Sequence, residues 1–207
     1  MALILEALVT TRQADGSAHL APMGPQVEAD GTRFTLRLFP TSQTYQNLSQ
    51  HPEGVIHITD DALLLAQAAI GALRELPPLR AAERIRGFVL VDCCRYFEFV
   101  VRSWDKRGER HRLTAEVVHS GRGREWFGFN RAKHAIVEAA ILATRLHFLP
   151  HAEVAAEFAK LRVIVEKTGG PEEHAAMELL EAHLRQAETQ TAMTWVGTPQ
   201  PAAEESR

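Results

Sequence analysis

The run with the clearest chemical potential is Leu36-Arg37-Leu38-Phe39-Pro40-Thr41-Ser42-Gln43-Thr44-Tyr45-Gln46-Asn47-Leu48. Alternation of apolar and polar residues puts Arg37 on a strand, and the hydroxyls of Thr41, Ser42 and Thr44 gather where a helix begins. Such a corner can hold a phosphate. Backbone N–H groups at a helix start point outward, the helix dipole favours an anion, and a nearby guanidinium neutralises it. The same residues also suit a plain helix cap beside a solvated strand arginine.

Other polar groups are more scattered. His134 and Glu138 lie four residues apart, and Arg131 and Arg145 extend the same helical stripe. That stripe is either a polar wall facing a ligand cleft or a solvated ion-pair face. Ten histidines are present, but no second close pair of ligands accompanies any of them, so no zinc site is expected. Asp92, Arg95 and Glu98 sit on a run otherwise full of aromatics, as outward strand residues or with Arg95 paired in a dimer seam. Trp126, Phe127 and Phe129 read as packing between two structural units, the alternative being a shield for a planar ligand. The adjacent Cys93 and Cys94 point to opposite faces of a strand, which disfavours a disulfide or a shared metal.

The elements that must position these groups fall into two blocks. Leu3 to Arg12, a turn at Asp15-Gly16 and Ser17 to Met23 form a hairpin. A strand near Gln26 and another at Thr32 to Phe39 flank the turn Asp30-Gly31. A helix from about Thr44 is stopped by His51-Pro52-Glu53-Gly54, and Val55 to Thr59 is a short buried strand. Asp60 or Asp61 caps a helix through Ala69, and residues 71–86 connect it to a long strand, Gly87 to Arg102, paired with Leu113 to His119. Short strands closed by tight turns predict a small antiparallel barrel. Helices follow at Asn130 to Phe148, Ala152 to Lys167 and from Pro171 to about Glu188. The expectation is an α+β chain: barrel over 1–126, helical unit over 127–190, disordered tail over 191–207.

Composition narrows the function. A chain of 207 residues, 45% hydrophobic, can bury a real core, and a formal charge of −3 with interspersed signs argues against a nucleic-acid binder. The basic run Arg102 to Arg112 contains acids and reads as a solvated hairpin. No apolar stretch approaches a membrane span and no basic leader precedes the first strand, so a soluble, cytoplasmic protein is expected.

Longer motifs carry a resemblance. These are Ala21-Pro22-Met23-Gly24, the Arg37 strand, Thr44-Tyr45-Gln46-Asn47-Leu48, His51-Pro52-Glu53-Gly54-Val55 and Thr59-Asp60-Asp61. Later come His119-Ser120-Gly121-Arg122, Phe127 to His134 and Val163 to Gly170. Together they resemble the FMN-binding split β-barrel (flavin reductase-like) superfamily. The narrower match is an uncharacterised branch with a C-terminal helical unit, found in archaea and one-carbon-metabolising bacteria. The resemblance spans about residues 3–190 and implies a homodimer with FMN at the subunit interface. It puts Arg37, Thr41, Ser42, Thr44 and Asn47 at the flavin phosphate and the backbone of Ala21, Pro22 and Met23 beside the isoalloxazine. Family members often carry another basic residue near the corner, a slot held here by Gln43. The implied activity is that of an oxidoreductase or flavin reductase acting on a small planar substrate, a pterin being one such. A non-catalytic flavin carrier or sensor is the alternative. Asn130, Arg131 and Glu138 are expected to line the substrate side, with His134 binding or protonating the substrate, a role that suits histidine because the unperturbed imidazole titrates near neutrality.

Overall fold

In the strand that carries Arg37, Phe34, Leu36 and Leu38 are buried while Arg33 and Arg37 are exposed, so period-two alternation gives the wall its inside and outside. A computed structural model describes residues 3–196 and divides the chain between Phe129 and Asn130 into two units. The first holds an eight-stranded antiparallel sheet. Its strands are β1 (Leu3–Ile4), β2 (Ala7–Arg12), β3 (Ala18–Met23), β4 (Gln26–Val27), β5 (Arg33–Leu38), β6 (Glu53–Ile58), β9 (Arg95–Asp105) and β10 (His111–Arg122). They lie in the order β1-β4-β5-β10-β9-β6-β2-β3. Two register shifts along β9–β10 sharpen the twist that curls the sheet into a half-barrel. Inside lie Val9, Phe34, Leu36, Ile56, Phe99 and Leu113, all but removed from solvent.

Helix α1 (Gln43–Gln50) joins β5 to β6, and α2 (Ala62–Ala69) follows β6. Asp61, not Asp60, is the cap of α2, its carboxylate accepting from Leu64 N–H at 2.8 Å. Asp60 instead meets the Arg124 guanidinium and the Phe127 N–H. Gly54, read as a helix stop, serves a different need. The helix already ends at Gln50, and a Cβ on Gly54 would come within 2.7 Å of the Phe99 ring, so the glycine makes room for the core.

The expected strand from Gly87 to Arg102 is two strands. Val91 N–H bonds Pro78 and Cys94 N–H bonds Ile58, and between these bonds the backbone changes partners. The first piece, β8 (Phe88–Leu90), pairs with β7 (Leu79–Ala81) in a separate hairpin, and only β9 joins the main sheet. Cys93 and Cys94 occupy the break, and both are free. Burial pushes the Cys93 thiol up to about 11.

The second unit packs α3 (Arg131–Ala143), α4 (His151–Thr168) and α5 (Pro171–Val196). Small residues on α3, among them Ala132, Ala135, Ala139 and Ala143, are buried with Ile136, Phe158 and Leu180. Helix α3 stops at Ala143, five residues short of the expected Phe148. Helix α5 continues to Val196, so residues 191–196 of the expected tail are helical, and 197–207 lie outside the described residues. Trp126, Phe127 and Phe129 are 51%, 94% and 86% exposed, and Trp126 and Phe129 meet edge to face.

Candidate functional site

The corner at the start of α1 is built from local chemistry. Ser42 caps the helix, its Oγ accepting from Tyr45 N–H and donating to Phe39 C=O at 2.8 Å. The N–H groups of Gln43 and Thr44 occupy the first two helical positions, where no intrahelical acceptor exists. Thr41 is exposed, Ser42 half-buried and Thr44 buried. Asn47 is buried and its amide is committed, donating to Thr11 Oγ1 at 2.9 Å and accepting from Gln43. It ties α1 to β2. On the same helix, Tyr45 OH meets His111 Nδ1 at 3.1 Å, which ties α1 to β10.

Arg37 stands on the outer face of β5, and the residue directly opposite on β10 is Arg112, also exposed. Both line an open pocket of about 670 Å³ together with Asp105, Arg107, Glu109 and Arg110. Asp105 is gripped by Arg107, whose Nε and terminal nitrogen reach its two oxygens at 2.8 Å. That hydrogen bond holds the Asp105 carboxyl down at about 2. Arg110 lies over the Phe39 ring, 4.3 Å from its centroid. The hairpin that reads as solvated in the sequence thus brings arginines to Arg37. An arginine opposite an arginine becomes visible only once the strand register is known.

Ala21, Pro22 and Met23 are half-buried on β3, the terminal strand of the sheet. Among the described residues its far edge has no strand partner, which suits Pro22, a residue with no N–H to donate. The donor set fits FMN: cations and free helix-start amides for a dianionic phosphate, and an unpaired strand edge for a planar ring.

In the helical unit, Arg131, His134 and Glu138 share the exposed face of α3, opposite its alanines. Asn130 is not on that face in a chemical sense. Its Oδ1 caps α3 by accepting from Ala132 and Lys133 N–H, and its Nδ2 bonds Thr168 C=O at 3.0 Å. Lys133, which the sequence reading passed over, pairs with buried Glu173 at 2.8 Å. Burial opposes ionisation of Glu173, but Lys133 and the Gly170 N–H outweigh it and hold its pKa below the usual range.

Three polar groups on the outer face of the sheet are buried. Thr10 Oγ1 donates to Phe88 C=O, His57 Nε2 accepts from Leu90 N–H, and Glu98 accepts from the N–H groups of Glu83 and Arg84 at 2.7 Å each. They anchor the strap over residues 79–91. Glu98 faces outward on β9 and is nonetheless fully buried. Arg95 is exposed and lies over the Phe97 ring. Among the described residues no three metal-ligating side chains cluster, and no helix is long and apolar enough to cross a membrane.

The sequence matches two family models of a protein of unknown function, DUF447: its N-terminal domain over residues 5–124 and a second, C-terminal model over residues 130–182. An FMN-bound DUF447 protein of Methanosarcina mazei has the same fold, with a TM-score of 0.76 at 20% identity, over 88% of this chain and 96% of that one. The 2-nitrobenzoate 2-nitroreductase of Pseudomonas fluorescens is similar at a TM-score of 0.50 and 16% identity, over 60% of this chain and 66% of its own. The styrene monooxygenase flavin reductase of Pseudomonas putida gives 0.48 at 14% identity, over 57% and 82%. No curated protein matches the sequence.

Proposed function

We propose that this chain, which belongs to the DUF447 family, is a flavoprotein that binds FMN and acts as an oxidoreductase or flavin reductase on a small planar substrate. The observation that carries this is the outward Arg37 beside the hydroxyl corner of α1, on a fold shared with an FMN-bound member of the family. Bound FMN would supply the electron transfer, since the isoalloxazine carries that chemistry itself. The protein's part is to hold and orient. Arg37, the exposed Thr41 hydroxyl and the Gln43 and Thr44 amides grip the phosphate, while Ser42 and Asn47 keep the corner in shape. The free edge of β3 at Ala21, Pro22 and Met23 supports the ring.

The active form is a homodimer with the flavin at its interface, in keeping with apolar side chains such as Leu3 and Phe127 left 63% and 94% exposed. On α3, His134 binds or protonates the substrate and Arg131 meets an acidic group on it, with Glu138 on the same face. A pterin belongs to the planar substrate class; that suggestion rests on the organisms in which this family branch occurs. The free cysteines suit a reducing cytoplasm.

The test is binding of FMN and riboflavin by wild type and Arg37→Ala. A charge-assisted hydrogen bond of about 1.5–3 kcal/mol corresponds to a loss of roughly 10- to 150-fold for FMN. Riboflavin binding should hardly change. Equal affinity of the wild type for both flavins would refute the phosphate anchor. Anaerobic bleaching of the bound flavin by NADH or NADPH distinguishes an enzyme from a flavin carrier or sensor.

A further inference from the structure

We propose that Arg112, assisted by Arg110, supplies the second positive charge of a dianion pocket at Arg37, and that this pocket seats the phosphate monoester of the flavin. The proposal rests on the reading that the chain binds FMN and adds which residues complete the site. Gln43, which opens α1, is uncharged, so the corner contributes no cation of its own. The opposite strand does. Arg112 is the cross-strand partner of Arg37 and both are exposed on one face, with Cβ atoms about 5 Å apart by the geometry of such pairs.

The neighbouring carboxylates are fewer than the arginines. Asp105, the partner of Arg112 on the other side, spends both oxygens on Arg107. Glu109 also lines the pocket, leaving four guanidinium groups against two carboxylates. Like charges directly opposite across a ladder repel, so a shared anion removes a cost already built into the sheet. A phosphate dianion suits two planar guanidinium forks. Phe39 joins the pocket to the corner, since its carbonyl accepts from Ser42 N–H and Oγ and its ring carries Arg110.

The experiment titrates flavin-free full-length protein with FMN and riboflavin, read by quenching of flavin fluorescence. Variants are Arg112→Gln, Arg112→Lys, Arg110→Gln and, as control, Arg102→Gln, an exposed arginine held by Glu116. Arg112→Gln should weaken FMN about tenfold and leave riboflavin within about twofold. Arg112→Lys should keep most of the affinity, Arg110→Gln should lose about threefold, and the control should match wild type. Wild-type FMN affinity in Arg112→Gln, with FMN still lost in Arg37→Ala, overturns the proposal and leaves the flavin reading intact. Loss of both flavins together in Arg112→Gln also overturns it, because the residue would then act through folding. A wild type that fails to prefer FMN over riboflavin overturns both readings. Inorganic phosphate alone binding as tightly as FMN, by calorimetry, would make this a free-phosphate site and overturn the flavin assignment.

Discussion

Acid should loosen the barrel through one side chain, His57. Its ring is fully buried on β6, with Nδ1 3.1 Å from Leu8 C=O and Nε2 accepting from Leu90 N–H at 3.0 Å. That pattern requires the neutral ring protonated at Nδ1. A second proton would set an N–H against the Leu90 N–H inside the protein. Burial is the largest influence and lowers the pKa to about 4, although the carbonyls of Leu8 and Phe88 favour the charged ring. Because the folded value lies below the unfolded value of 6.5, the stabilisation is complete above pH 6.5 and is lost as pH falls toward 4. At 1.36 kcal/mol per unit, the loss is about 2 kcal/mol at pH 5 and about 3 kcal/mol at pH 4. Urea unfolding of wild type and His57→Gln, followed by the strand circular dichroism signal from pH 7.5 to 4.5, isolates this effect. Other titrating groups, Glu173 among them, are common to both proteins and cancel in the difference. The stability gap between the two should shrink by about 2–3 kcal/mol across that range. Parallel pH curves, or an imidazole that titrates near 6.5 by NMR, would refute the reasoning.

Glu98→Gln replaces one buried acceptor oxygen with an amide that opposes the Glu83 or Arg84 N–H, at a cost of about 1–3 kcal/mol. A lower urea midpoint and earlier tryptic cleavage at Arg84 and Arg86 are expected, and wild-type protection would show that the carboxylate does not hold the strap. Because His134 is exposed on α3, His134→Gln should keep its fold and FMN content while losing substrate turnover or ligand binding. Unchanged activity would reduce the stripe to scaffold. Light scattering at micromolar concentration should give about twice the 23.0 kDa chain mass, and a monomer mass would remove the interfacial flavin site.

The sequence by itself determined features that close over a few residues. Asp15 and Asp30 accept from N–H groups two residues on, and Gly16 and Gly31 adopt positive φ, so both turns were legible from composition. The caps at Ser42 and Asn130 were equally local, although the spacing that marked Asn130 as a helix start was also read as part of a ligand stripe. Alternation and helical periodicity, with the long motifs, were enough to indicate a barrel followed by three helices. What escaped depends on which strand lies opposite. The break between β8 and β9 is marked by no proline or glycine, because it arises where the backbone exchanges one set of partners for another. Gly54 looked like punctuation until Phe99 was placed across from it. Glu98 read only as an outward strand residue, because nothing nearby in the chain reveals that the 83–84 backbone will cover it and supply its donors. Arg112 sat in a run that read as a polar turn, and only the β5–β10 register makes it the neighbour of Arg37. Hydrogen bonds and charges between distant segments are set by tertiary pairing, and a one-residue change in register would send every one of these side chains to the other face.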